Sequence, residues 1–172
     1  QQALGTTAHF AGREVLVAAN VGGTQDIDGA VEAQSDGVGL FRTEFLFLDT
    51  PKPPTEDQQF QAYKEAAERC DGQVVIRAFD IGGDKPAEFI SLATEENPFL
   101  GLRGVRIYEQ FADLFATQVR AVLRAAAFGD VAFMIPMVAT ADEFIWVSER
   151  VEEVRSAMDA AEIGLISLGV MV

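Results

Sequence analysis

Gly37-Val38-Gly39-Leu40-Phe41 runs into Arg42-Thr43-Glu44, and Val74-Val75-Ile76 runs into Arg77, followed by Asp80-Ile81-Gly82-Gly83-Asp84-Lys85. A short apolar run bounded by glycine or polar residues reads as a buried parallel strand. A guanidinium at the mouth of such a strand is placed to grip a phosphate or carboxylate in a bidentate fork. Two of them on neighbouring strands predict an anionic ligand held from two sides.

Working outward, Glu14 to Asn20 reads as a first strand, broken by Gly22-Gly23-Thr24, with Thr24 capping a helix through about Gln34. Gly37 to Phe41 is the second strand. Asp49 to Thr55 is a loop, because Pro51, Pro53 and Pro54 forbid regular structure there. Thr55-Glu56-Asp57-Gln58 is a capping box, and its helix carries Phe60, Tyr63 and Ala67 at helical spacing until Asp71-Gly72 ends it. Gln73 to Arg77 is the third strand, residues 80–100 a long loop. A helical stripe of Phe111, Phe115, Val119, Val122 and Ala126 precedes a fourth strand, Val131 to Ile135, closed by Pro136. A second capping box, Thr140 to Glu143, opens a helix bearing Phe144, Val147, Val151, Val154 and Met158. Ile166 to Val172 is the fifth strand.

Strands alternating with amphipathic helices predict a parallel α/β sheet covered by helices. Two arrangements compete, an open doubly wound sheet and a (β/α)8 TIM-type barrel. No G-x-G-x-x-G follows the first strand, which weakens a dinucleotide site. Asn20, Arg42 and Arg77 all fall at C-terminal strand ends, where barrels place ligand groups, so the barrel is favoured. A full barrel needs eight strands and this chain supplies five, a partial barrel with about four helices.

The 172 residues suffice for one domain with a real core, and 49% of them are apolar. A net charge of −14 argues against nucleic acid and against anionic membrane surfaces. Most of the acid falls on predicted helix surfaces, as at Glu56, Asp57, Glu65 and Glu68, so arginines at strand ends stand out. No stretch reads as a membrane span or a signal peptide, and the lone Cys70 suits a reducing compartment, so a cytoplasmic location is expected. Gln1 in place of a starting Met is expected of a piece of a longer protein.

Longer motifs carry a resemblance. Ala18-Ala19-Asn20-Val21-Gly22-Gly23, Gly37 to Phe45, Val75-Ile76-Arg77-Ala78-Phe79-Asp80-Ile81-Gly82-Gly83-Asp84-Lys85 and Glu96-Asn97-Pro98-Phe99-Leu100-Gly101-Leu102-Arg103-Gly104-Val105-Arg106-Ile107 follow one another in order. With Gln118 to Ala125 and Met134-Ile135-Pro136-Met137, they resemble the phosphoenolpyruvate-binding barrel domain of enzyme I of the sugar phosphotransferase system, over nearly the whole chain.

The resemblance implies phosphoryl transfer from phosphoenolpyruvate to a protein histidine on a separate domain, and onward to a histidine-containing phosphocarrier protein. It implies that Arg42 and Arg77 hold the substrate phosphate, with Arg103 as a further substrate-binding arginine. It implies Mg2+ in the full-length parent, with ligands expected beyond Val172, after Gly169-Val170-Met171-Val172. Residues 1–172 are then the first half of the barrel. The proton-donating cysteine and the phosphohistidine domain lie elsewhere in such a parent, so no turnover is expected of this chain alone. Ala78 and Leu102 depart from the family's usual Thr and Trp. Pyruvate phosphate dikinase and phosphoenolpyruvate synthase share this arginine logic and are the alternative enzymes; a non-catalytic half-barrel for assembly or regulation is the alternative class.

Other residues read more plainly. Arg42 has Glu44 as an available ion-pair partner, and Arg103, read as helical, has Glu95, Glu96 or Glu109. Arg106, Arg120 and Arg124 read as structural pairs, His9 as part of a linker, and Cys70 as a small apolar residue. The open strand edges of an incomplete barrel predict a homo-oligomer.

Overall fold

The structure is a computed structural model that describes residues 8–48, 50–83, 87–93 and 95–172. It opens with an antiparallel hairpin of β1 (Ala8–Phe10) and β2 (Arg13–Val15). Its two-residue turn, Ala11-Gly12, has φ of 50° and 77°, the twist that matches a tight hairpin. The expected first strand is therefore divided. Glu14 and Val15 belong to the hairpin, and the sheet strand is β3 (Ala19–Val21). Between them Val17 is tied to Asp36, whose Oδ2 accepts from Val17 N at 2.7 Å.

After β3 come α1 (Thr24–Glu32), β4 (Gly37–Arg42), the single turn α2 (Glu44–Phe47), α3 (Glu56–Arg69) and β5 (Gln73–Arg77). The single turn α4 (Val105–Tyr108), α5 (Ala112–Ala125), β6 (Val131–Pro136), α6 (Ala141–Ser156) and β7 (Ile166–Met171) complete the chain. Both capping boxes form as read, with Thr55 Oγ1 accepting from Gln58 N and Thr140 Oγ1 from Glu143 N. Gly23, not Thr24, caps α1, and there Asp26 Oδ2 takes the Gly22 amide at 2.8 Å.

The parallel sheet runs β3-β4-β5-β6-β7, in strict chain order. A doubly wound sheet reverses strand order at a switch point, and this one does not. The main helices pack in the same succession, α1 on α3, α3 on α5 and α5 on α6, as one layer over one face. That face is the core: Val74 and Ile76 of β5, Val131, Phe133 and Ile135 of β6, and Phe60, Tyr63, Phe115, Val119 and Val147 of the helices are buried. On the opposite face Val75, Ala132 and Met134 are half-buried and Ser167 is exposed. A five-stranded, singly wound parallel sheet with helices on one side is the architecture of part of an α/β barrel wall.

One irregularity decides where Arg42 points. Val38 pairs with Val74, but Phe41 pairs with Ile76, so three steps along β4 match two along β5. The extra residue falls between Val38 and Phe41, where Gly39 lies, and β3 steps past the same place. Simple alternation would put Phe41 on the face opposite Val38. The bulge puts both in the core, each fully buried, and turns Arg42 to the open face, in register with Arg77.

Candidate functional site

Arg42 and Arg77 end adjacent parallel strands as register partners, so their Cα atoms are about 5 Å apart across the ladder. Arg42 is half-buried and faces Asn20, whose Oδ1 accepts from Arg42 Nε at 3.4 Å. With the Asn20 amide turned over, its oxygen accepts from Arg42 Nη2 at 3.1 Å and its nitrogen donates to Leu40 O at 3.2 Å. Among the described residues no carboxylate lies within ion-pair distance of Arg42. The available partner, Glu44, goes elsewhere: α2 turns it under the strand ends, where it is 2% exposed and accepts from Arg77 Nη2.

Arg77 is itself buried. Its Nη1 lies 3.7 Å from Asp80 Oδ2 and 3.8 Å from Met171 Sδ on β7. Arg103 joins the same array by a route the sequence does not suggest. It is not helical but sits in a short antiparallel bridge with Gly82, just before Gly104 caps α4. A Cβ on Gly82 would lie 2.8 Å from Arg103 Cβ, so the absent side chain is what admits Arg103 there. Arg103 Nε and Nη2 donate to Asp80 Oδ1 and Oδ2, each at 2.8 Å, and its guanidinium lies 4.7 Å from the centre of the Phe99 ring. Among the described residues, none of the expected acids pairs with Arg103. Asp80 does, and Glu95 instead accepts from the Leu102 amide at 2.9 Å.

The result is a row of alternating charge, Glu44, Arg77, Asp80 and Arg103, with Arg42 beside it. Among the described residues, three guanidiniums meet two carboxylates here, in a chain that is otherwise strongly acidic. Each acid fixes the plane of a guanidinium, which pre-organises a fork and forestalls rotamer loss on binding. The backbone that carries Arg77 and Asp80 is also pinned. Thr43 Oγ1 donates to Arg77 O at 2.8 Å, Tyr108 Oη donates to Phe79 O at 2.8 Å, and Gln118 Oε1 accepts from Phe79 N at 2.9 Å. Burial first, and the nearby Asp80 second, push the Tyr108 phenol well above its usual ionisation, so it remains a donor.

Asp84 and Lys85 lie outside the described residues. Arg120 and Arg124 of α5 pair with Glu56 at the start of α3, in keeping with their structural reading, and Arg106 donates to the Phe99 and Gly101 carbonyls. Cys70 caps the end of α3, buried, and burial raises its thiol. His9 lies in β1 of the hairpin rather than in a linker. Thr43 and Gln118 fall inside the motifs that carry the resemblance, but nothing in those motifs marks either as a site residue. The signal for Gln118 is a polar residue in the apolar stripe of α5, one step before Val119.

Residues 3–172 match the family described as PEP-utilising enzyme, PEP-binding domain. The chain belongs to this family. It is 51% identical over 168 residues to a phosphoenolpyruvate-protein phosphotransferase of Haloferax volcanii, covering 94% of this chain and 30% of that protein. It is 43% identical over 166 residues to multiphosphoryl transfer protein 1 of Escherichia coli K12, covering 93% of this chain and 20% of that protein. A phosphoenolpyruvate-protein phosphotransferase of Mycoplasma capricolum is 42% identical over 160 residues, 91% of this chain and 28% of that protein. The chain thus spans between a fifth and a third of these relatives' length. The family is one of enzymes, and the array of Arg42, Arg77 and Arg103 lies within the matched region. No described helix is long and apolar enough to cross a membrane.

Proposed function

We propose that this chain is the first half of a phosphoenolpyruvate-binding barrel, and that Arg42 and Arg77 grip the substrate phosphate in a parent phosphoenolpyruvate-protein phosphotransferase. The observation that carries the reading is the in-register placement of the two arginines on the open face, produced by the β4 bulge, inside a region that matches the family. Phosphoenolpyruvate is compact and polyanionic, so guanidiniums must converge on it. Phosphoryl transfer asks the protein for positioning and charge neutralisation more than for covalent chemistry. Arg42 reaches the ligand from the half-exposed side. Arg77, held by Glu44, offers a fixed donor from below. Arg103, held by the Asp80 that it shares with Arg77, is the further substrate-binding arginine of this reading.

In the parent, the bond from phosphorus to the enol oxygen breaks as the bond to a histidine nitrogen forms, and the enolate takes a proton at carbon. The histidine and the proton donor belong to segments outside this chain, and a phosphocarrier protein takes the phosphoryl group next. Magnesium is the group such a parent implies. Among the described residues no three His, Cys, Asp or Glu side chains are grouped to hold a metal, and Glu44 and Asp80 are engaged by arginines. These residues do not fit a magnesium site, and no step here runs through the metal. The names of the relatives favour the phosphotransferase over pyruvate phosphate dikinase or phosphoenolpyruvate synthase, and its setting in the cytoplasm follows from that reading.

The test is phosphoenolpyruvate-dependent histidine phosphorylation by the full-length parent carrying Arg42→Ala. Loss of one pre-organised donor to the transferring group lowers kcat/KM by about 100-fold or more. A parent variant within about threefold of the unsubstituted enzyme, less than a single lost hydrogen bond to a charged group is worth, would remove Arg42 from the site.

A further inference from the structure

Four buried side chains form one directed hydrogen-bond chain behind the strand ends. Gln59 Nε2 donates to Pro54 O at 3.1 Å, and Tyr63 Oη donates to Gln59 Oε1 at 3.2 Å. Gln118 Nε2 donates both to Tyr63 Oη, at 3.0 Å, and to Thr43 Oγ1, at 3.2 Å. Thr43 Oγ1 donates in turn to Arg77 O, and Gln118 Oε1 accepts from Phe79 N. Gln59, Tyr63, Thr43 and Gln118 are each 0% exposed. Every hydroxyl donates once and accepts once, and the Gln118 amide uses both hydrogens. Burial, the dominant influence, raises the Tyr63 phenol, so this donor stays protonated.

We propose that Gln118 is a positioning residue for the anion site: from α5 it locks the C-terminal ends of β4 and β5 to each other, and so sets Arg42 against Arg77. The proposal rests on the reading of those arginines as the phosphate grip. Stability alone does not call for such a network, because apolar groups of the same shape hold a core about as well. What the network does that apolar groups cannot is fix backbone atoms individually. Thr43 is the residue after Arg42, Arg77 O belongs to the second arginine, and Phe79 N is next to Asp80. Gln118 hydrogen-bonds both to Thr43, just after β4, and to Phe79 N, just after β5. A guanidinium shifted by about 1 Å from its productive place loses about two orders of magnitude in rate, so this register is worth holding.

The test uses this chain, with NMR signals of Arg77 Nε–Hε and of the Ala78, Phe79 and Asp80 amides, and titration with phosphoenolpyruvate. Gln118→Met removes both donors and the acceptor at nearly constant volume. It is expected to shift those signals and to weaken phosphoenolpyruvate binding about tenfold or more, since orientation is lost. Val147→Ala on α6 costs stability without touching the network, and leaves the Arg77 signals and the affinity as they are. Thr43→Val reproduces the Gln118→Met effect, and Thr43→Ser, which keeps the hydroxyl, restores it. A Gln118→Met chain that melts earlier, as Val147→Ala does, with Arg77 signals and affinity unchanged overturns the proposal. If Gln118→Met does not fold, the Thr43 pair decides, and Val and Ser behaving alike overturns it. If the unsubstituted chain does not bind phosphoenolpyruvate, the anion-site reading fails, while the Arg77 signals still decide the role of Gln118.

Discussion

Replacing Asp80 with Asn takes away the carboxylate that sits between two buried guanidiniums. Arg103 donates to both of its oxygens at 2.8 Å and Arg77 Nη1 lies 3.7 Å away, with side-chain exposures of 6% for Arg103, 10% for Arg77 and 4% for Asp80. Breaking a buried pair from one side costs about 3–5 kcal/mol, because the abandoned charge stays dry. Asn retains one acceptor for Arg103, which places the expected loss near the lower end, about 3 kcal/mol. In a chain of this size each 1 kcal/mol moves the melting temperature by about 2–4 °C, so a fall of roughly 6–12 °C is expected. Urea unfolding followed by circular dichroism measures the same loss as a lower midpoint at unchanged slope. Inorganic phosphate supplies the missing negative charge and should raise the variant's midpoint more than that of the unsubstituted chain. A loss under about 1 kcal/mol, the range of solvent-screened surface pairs, together with equal phosphate effects, would refute the claim that these charges form a buried, pre-organised row.

Four further outcomes follow from the same structure. Thr140→Ala removes the cap of α6 and should cost about 1 kcal/mol by urea unfolding, with a similar loss for Thr55→Ala on α3. Gly72 has φ of 75° and a Cβ there would sit 2.2 Å from Asp36 O, so Gly72→Ala should destabilise by more than about 1 kcal/mol in the same assay, beyond the ordinary glycine effect. Burial alone would raise the Glu56 carboxyl, but Arg120 and Arg124 more than offset it and hold it below the usual 4.5. Its contribution is therefore full above 4.5 and is lost as pH falls through the lowered value, so Glu56→Gln should flatten the acid side of a stability–pH curve while changing its shape little near neutrality. The edges of β3 and β7 and the half-exposed sheet face predict self-association, measured as a mass above 18.6 kDa by light scattering.

Much of the fold could be read because local signals agreed with the tertiary outcome. The apolar run ending at Arg77 and the two capping boxes each state their element without reference to distant residues. The failures have long-range causes. The sequence runs two strands together at the start, because Arg13 to Val15 answers to Ala8 to Phe10 across a tight turn while the apolar run continues past it. The one-turn helices α2 and α4 are too short to show a period. Arg103 looked helical beside local acids, yet Gly82 and Asp80, some twenty residues earlier, claim it. Glu44 looked like the partner of Arg42 by proximity, but the bulge turns Arg42 to the open face and α2 sends Glu44 to Arg77. Glycine inside an apolar strand is the mark such a bulge leaves in a sequence, and Gly39 carries it.

The central claim is that Arg42 and Arg77 form one anion grip. Calorimetric titration of phosphoenolpyruvate into this chain, with Arg42→Ala beside an Arg155→Ala control on the outer surface of α6, tests it most directly. The account predicts saturable binding that Arg42→Ala abolishes and Arg155→Ala leaves intact. Binding that both variants retain, or a folded chain that takes up no phosphoenolpyruvate, would contradict it.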